Sequence, residues 1–342
     1  MKRKQFISSI FPAAIVLKPA LLLSGSSTKV LEETSIKPPY LSKGDTIGIT
    51  CPAGYITLED IQPAILKLKE WGFLISIGAT VGKRDFTFGG TDEERLADFQ
   101  QMLDDNNIKA ILCARGGYGA IRMIDAIDFT KFSKNPKWII GFSDITVLHN
   151  HINRNFGIAS IHSKMCNSFP VDWSLAEPIQ ITTIDSIRQC LLGEKMSYTC
   201  AYNSNNKLGE GTGVLVGGNL KTIETLAGSR SDLVTKNKIL FVEDIGEYLY
   251  SIDRMFWNLQ RTGKLDHLKG LIIGGFKIKK EEDEADAFGK TLEQIVLEKV
   301  SRFTYPVCFD FPIGHQKNNF AVICGVRHQL QVKKEETMLT KF

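Results

Sequence analysis

The sequence predicts an α/β protein of two domains, with a mostly parallel sheet in the N-terminal domain and a second α/β domain after it. Three observations carry this expectation. Short apolar runs of strand length alternate with stretches of helical period, the mark of βαβ units. Several of those runs end in glycine-containing turns, where an open parallel sheet presents its functional residues. The 342 residues give room for two cores at about 150 residues each.

Residues 1–30 stand apart. Lys2, Arg3 and Lys4 precede an apolar stretch from Phe6 to Leu23 and then Ser24-Gly25-Ser26-Ser27, the layout of a secretory signal. Pro12 and Lys18 interrupt that stretch, and a disordered cytosolic extension is the alternative. A periplasmic or cell-envelope location follows from the first reading and a cytoplasmic one from the second. No later apolar run is long enough to cross a bilayer, so no stable membrane insertion is expected.

Within the N-terminal α/β domain, residues 43–165, Asp45 to Thr50 reads as a buried strand that turns at Cys51-Pro52-Ala53-Gly54. A helix follows, capped by Thr57 or Asp60, with Pro63 in its first turn and Ile61, Ile65, Leu68 and Trp71 in near-helical spacing up to Gly72. Thr91 and Glu94 form a capping box for a second helix with Leu96, Phe99 and Leu103 on one face. Ile108 to Ala114 is a strand ending in Arg115-Gly116-Gly117-Tyr118-Gly119. Trp138-Ile139-Ile140 is another, ending at Gly141-Phe142-Ser143-Asp144.

The pattern weakens over residues 166–207, where Pro170, Pro178 and Asn203-Ser204-Asn205-Asn206 suggest a linker. In the C-terminal α/β domain, residues 208–342, Val214 to Val216, Ile239 to Val242 and Leu271 to Ile273 read as buried strands. Ile252, Met255, Phe256 and Leu259 give the stripe of an amphipathic helix.

Composition removes several function classes. A net charge of +4 from 42 basic and 38 acidic side chains gives no field of one sign for nucleic acid. Seven cysteines without close pairing do not make a disulfide scaffold, and Cys113 and Cys324 read as buried free thiols. No zinc spacing of histidines or cysteines occurs, and the Arg115 to Gly119 turn fits neither G-x-G-x-x-G nor the P-loop. The acidic run Glu281 to Asp286 reads as a solvated loop. No metal and no cofactor are expected.

Candidate chemistry centres on Ser143. A serine in a strand-to-helix turn projects its hydroxyl outward beside helix-start amides, although Ile145 replaces the second glycine of the G-x-S-x-G elbow and a plain N-cap serine is the alternative. Such a hydroxyl needs a base and an acid to orient it. His315, in the turn Phe311 to His315, is the candidate base, with His162 in reserve. His149 and His151 are expected to face away from the turn, and His267 and His328 to lie at the surface. Glu243, directly after the apolar strand Ile239 to Val242, is the candidate acid, with Asp244 as its rival.

Several separated motifs in one order resemble the LD-carboxypeptidase family of serine peptidases, which includes muramoyltetrapeptide carboxypeptidases and microcin C immunity peptidases. They are Gly44-Asp45, Gly90 to Arg95, Arg115 to Gly119, Gly141 to Asp144, Gly217-Gly218-Asn219-Leu220, Glu243-Asp244, Asp253-Arg254 and Gly314-His315. The resemblance implies a catalytic set of Ser143 as nucleophile, Glu243 as orienting acid and His315 as base, with an oxyanion hole at the amides of Asp144 and Gly117. It implies two α/β domains with the site between them, a homodimer, and release of a terminal D-alanine from murein tetrapeptides without a cofactor. One departure stands out: relatives often carry His-Gly-Pro where this chain has His162-Ser163-Lys164, and the residues that bind substrate are left open. The alternatives are a microcin-immunity-type peptidase acting on a peptidyl nucleotide amide, and a two-lobed periplasmic binding protein, which would bind without turnover.

Overall fold

Six strands form the first sheet of this computed structural model, which describes residues 35–281, 283, 285 and 287–342. The proposed leader, residues 1–30, lies outside the described residues, as do three acidic positions of the run that begins at Glu281. Strands β1 (Thr46–Thr50), β2 (Leu74–Ile77), β3 (Ile108–Cys113), β4 (Trp138–Gly141) and β5 (Ser160–His162) run parallel in the order β5-β4-β3-β1-β2. Alternation sorts their side chains between two cores: Ala110 and Leu112 join Ile47 and Ile49 on one face, Ile111 and Cys113 the other. Both faces of β1, β3 and β4 are covered, which is why these strands read as continuous apolar runs, while the edge strand β2 leaves Leu74 and Ile77 exposed.

Helices α1 (Gln62–Glu70), α2 (Asp92–Asp104), α3 (Ala120–Met123), α4 (Thr130–Lys134) and α5 (Thr146–Phe156) lie between these strands in the chain. Thr91 and Glu94 make both halves of the expected capping box on α2. The start of α1 differs from expectation. Thr57 and Asp60 bond each other, and Ile61 stands at the N-cap without a side-chain bond.

Residues 166–207, expected as a linker, carry α6 (Pro178–Leu192) and β6 (Ser197–Ala201). Pro178 is a helix starter here rather than a breaker, since its missing N–H is surplus in the first turn. Ile184, Ile187 and Leu191 bury in the same core as Ile47.

The second sheet has seven strands: β6, β7 (Gly209–Asn219), β8 (Ile239–Ile245), β9 (Gly270–Lys277), β10 (Val307–Cys308), β12 (Arg327–Val332) and β13 (Glu336–Lys341). The run β10-β9-β8-β7 is parallel, and β12, β13 and β6 add antiparallel beyond it. Although β10 and β6 stand at opposite ends of the order, Lys207 pairs with Val307 and Cys200 Sγ lies 3.8 Å from Cys308 Sγ. The sheet therefore curls until its edges meet. All seven thiols are free. Helices α7 (Leu220–Thr225), α8 (Leu249–Arg261) and α9 (Leu292–Val300) complete this half, and Ile252, Met255, Phe256 and Leu259 of α8 are all buried.

Strand β11 (Val322–Cys324) comes from the C-terminal part of the chain but pairs antiparallel with β5 in the first sheet. Its Ile323 packs in the first-sheet core and its Val322 and Cys324 in the second. The two halves are thus tied by a shared strand, and residues 35–342 form one compact unit.

Candidate active site

Ser143 opens a short 3₁₀ turn, Ser143–Ile145, between β4 and α5, with a backbone φ of 62°. That left-handed conformation costs an L-residue about 1–2 kcal/mol and is the strained geometry of a nucleophile elbow. It is not the extended backbone of an N-cap, and Ser143 makes no cap bond. Gly141, at φ 159°, supplies the bend: a Cβ there would stand 2.9 Å from Ile145 Cγ1.

The turn from Arg115 to Gly119 lies against this serine. A Cβ on Gly116 would come within 3.1 Å of Ser143 Cβ and 3.3 Å of Ser143 Oγ, a tight contact that glycine avoids. Gly54 N donates to Gly116 O at 2.8 Å, and the fully buried Arg95 donates to Pro52 O at 2.7 Å and Gly119 O at 2.9 Å while pairing with Asp92. Ala120 N donates to Asp144 Oδ2 at 2.8 Å. Burial pushes the Asp144 carboxyl up to about 6.

Glu243 and His315 meet. The Glu243 carboxylate, 0 % exposed, binds His315 Nδ1 through Oε2. The loop carrying the histidine can reach it because β9 offers glycines: Gly275 N donates to Ile313 O at 2.7 Å, and a Cβ on Gly274 would stand 2.5 Å from that same oxygen. Gly314, at φ 96°, has no room for a side chain against Glu243, and its N–H donates to the buried Asn319 Oδ1 at 2.6 Å. The His315 ring lies 4.9 Å, centre to centre, from that of Phe142, the residue before Ser143. A register shift between β8 and β9 falls at this point, between Val242 and Asp244.

Asp244, the rival acid, has another task. It accepts from Asn219 Nδ2, Lys221 N and Ile245 N at 2.8–2.9 Å, and burial pushes it up to about 6. Asn219 caps α7 by accepting from Thr222 N, and its own N–H donates to Thr146 Oγ1 at 3.0 Å, bringing α5 against α7. Ser143, Gly117, Asp144, Asn219, Asp244 and Glu247 are among the residues lining one cavity of about 330 Å³. A larger cavity, about 520 Å³, is lined by Asp45, Ile108 and Lys137 at the amino ends of the first-sheet strands. The carboxyl ends, where Ser143 stands, are the expected side for chemistry.

The other histidines occupy structural positions, and two of them correct expectations. His149 does not face away: its Nε2 bonds Gly141 O at 2.9 Å and ties the α5 turn back to the strand end. His328 is buried, not at the surface, because β12 alternates Arg327 outward and His328 inward; burial pushes it down to about 4. His151 bonds Ser231 Oγ at 2.8 Å, and His267 is exposed. His162, the reserve base, is buried and its protonated form is strongly disfavoured there.

Sequence reading missed Arg95 and the pair Gly274-Gly275. Arg95 stood in the capping-box motif but fell on the helix side that turns to the glycine loop; a charged residue amid Leu96 and Phe99 was the available signal. Gly274-Gly275 directly follow the apolar run Leu271 to Ile273, and two adjacent glycines in a strand signal close backbone approach. Among the described residues no group of three or more His, Cys, Asp or Glu side chains is arranged to hold a metal ion.

Residues 47–163 match the LD-carboxypeptidase N-terminal domain and residues 212–330 the LD-carboxypeptidase C-terminal domain. A Bacillus subtilis protein named "Probable murein peptide carboxypeptidase" is 33% identical over 309 residues, covering 89% of this chain and 94% of that one. The crystal structure of muramoyltetrapeptide carboxypeptidase from Oxalobacter formigenes superposes with a TM-score of 0.77 at 29% identity, covering 86% of this chain and 98% of that one. The microcin C7 self immunity protein MccF shares the fold with a TM-score of 0.78 at 22% identity, covering 90% of this chain and 99% of that one.

Proposed function

The chain belongs to the LD-carboxypeptidase family, and from that premise we propose that Ser143, His315 and Glu243 make it a serine carboxypeptidase releasing terminal D-alanine from murein tetrapeptides. The observation that carries this reading is the buried Glu243 carboxylate on His315 Nδ1, beside the turn that holds Ser143 with φ 62°.

The carboxylate accepts, so Nδ1 carries the proton and Nε2 of the neutral imidazole is left basic. His315 takes the hydroxyl proton as Ser143 Oγ attacks the carbonyl between an L-centred diamino acid residue and D-alanine. The Asp144 and Gly117 amides receive the oxyanion. His315 passes the proton to the departing amine, an acyl-enzyme forms, and water releases it by the same route. The raised pKa of Asp144 does not disturb this, since its backbone N–H is the donor.

The same reading makes the enzyme a homodimer of the periplasm or cell envelope, a location supported by the layout of residues 1–30. No described helix is long and apolar enough to cross a membrane.

The test is incubation of the protein and its Ser143→Ala variant with a murein tetrapeptide in the presence of a chelator, with free D-alanine read by mass. Release by the wild type alone supports the reading. Release by both, or by neither, overturns it, and a peptidyl nucleotide amide run in parallel shows whether the second substrate class of this fold is the one cleaved.

A further inference from the structure

We propose that Lys164 receives the free terminal carboxylate of the substrate in this chain, at a position where relatives often carry proline; the inference rests on the function proposed above. An exopeptidase of this direction must recognise the charge at the chain end. In the departing amino acid, the carboxylate carbon is two bonds from the nitrogen that leaves, about 2.5 Å away. That nitrogen takes its proton from the base. A cation at the rim of His315 is therefore within reach of that carboxylate.

Lys164 stands there. Its Nζ donates to the carbonyl of Gln316, the residue after His315, at 2.7 Å. It also lies 5.7 Å from the centre of the Phe142 ring, which itself packs on His315. The backbone beneath it is fixed: Ser163 N donates to Gly141 O at 3.0 Å, and Ser163 Oγ to Lys164 O at 3.0 Å. The side chain thus springs from a strand end locked beside the one that ends in the nucleophile turn.

The charge is available. Of the three donors of this ammonium, one is used, and among the described residues no carboxylate lies within ion-pair reach. The charged groups that act on it are Glu243 of β8, already committed to His315, and Lys277 at the end of β9, a second cation. Half-buried, the ammonium is pushed down to about 8, first by burial and then by Lys277, with Glu243 opposing. A substrate carboxylate would give the ammonium a direct ion-pair partner. The competing role is a tether that only holds the His315 loop through Gln316.

The experiment measures kcat and KM for wild type, Lys164→Met and Lys164→Arg on a murein tetrapeptide and on the same peptide ending in D-alaninamide. An anchor predicts that Lys164→Met loses about 10- to 100-fold in kcat/KM on the free acid, mostly through KM, as expected for one charge-assisted hydrogen bond. The amide should change less than about 3-fold, and Lys164→Arg should recover part of the loss. Wild-type kcat/KM on the acid, but not on the amide, should fall as pH rises through about 8. Equal losses on both substrates would assign Lys164 to tethering and overturn the inference, as would no loss on either. If wild type cleaves neither peptide, the proposed function fails and the inference falls with it; if wild type cleaves the acid and the acid-to-amide preference survives Lys164→Met, only the inference falls.

Discussion

Asp144 and Ala120 are joined across two turns: the Ala120 amide donates to Asp144 Oδ2 at 2.8 Å, so the residue after Ser143 holds the end of the glycine loop. Side chain and backbone of Asp144 then have separate tasks, the carboxylate aligning one turn and the N–H facing the developing oxyanion in the proposed mechanism.

The burial of this carboxylate has a pH signature, which the Ala120 bond opposes. Burial raises both Asp144 and Asp244 from 3.8 to about 6. In the unfolded chain each ionises near 3.8, so between pH 4 and 6 the folded protein binds more protons. Their contribution to stability is full below pH 4, falls as pH rises through about 6, and is flat above. At about 1.36 kcal/mol per pKa unit each site accounts for roughly 3 kcal/mol. Asp144→Asn should remove its share of that slope. Denaturant titrations at pH 4, 5 and 6.5 check this, and parallel curves for variant and wild type would contradict it.

Ser143 is held at φ 62°, which glycine adopts without the Cβ penalty. Ser143→Gly should therefore abolish hydrolysis while raising stability by about 0.5–1 kcal/mol, the relieved strain less the added chain entropy. Ser143→Ala keeps its Cβ and should abolish hydrolysis without the stability gain. Thermal melts of both variants decide the matter; equal melting temperatures would mean that the turn stores no strain at the serine.

Legibility in the sequence followed how local each physical cause is. The strands β1, β3 and β4 and the stripe of α8 could be read because burial on both faces, or on one stripe, leaves its period in neighbouring residues. Ser143, Glu243 and His315 could be named as candidates because each ends an apolar run. Their joint geometry could not, because Glu243 and His315 are brought together by Gly274 and Gly275 on a third segment. The turn in the chain that sends β11 back to β5 left no local mark either, so the boundary at residue 208 divides what the shared strand joins. His328 departs from its expected surface position because strand register, set by partners far along the chain, decides which way a lone polar residue points.

Glu243 holds the His315 tautomer and has no other described hydrogen-bond partner for Oε1. Glu243→Gln keeps the shape but places an amide where a carboxylate should accept, so the imidazole is turned toward the wrong tautomer. We expect kcat to fall by about 10³- to 10⁴-fold with KM changed little. Steady-state kinetics on the tetrapeptide check this, and a fall confined to KM would mean that Glu243 acts on binding instead.

Gly274 and Gly275 make a paired test of how His315 is positioned. A Cβ on Gly274 would stand 2.5 Å from the carbonyl oxygen of Ile313, whereas one on Gly275 would meet the Gln316 side chain at 2.8 Å. Backbone cannot yield without moving the loop, while the Gln316 Cγ and Cδ can rotate away and leave only its Cβ, at 3.0 Å, to shift slightly. Gly274→Ala should therefore push Ile313 outward and carry Gly314 and His315 away from Glu243, and a displacement of about 1 Å is enough to cost on the order of 100-fold in rate. Gly275→Ala should cost far less, because only the Gln316 bonds to Phe311 O and Ile313 O are at stake. The measurement is kcat/KM of both variants with melting temperature as the control for folding. A larger loss from Gly275→Ala would show that the Gln316 side chain, and not the backbone approach, sets the position of the histidine.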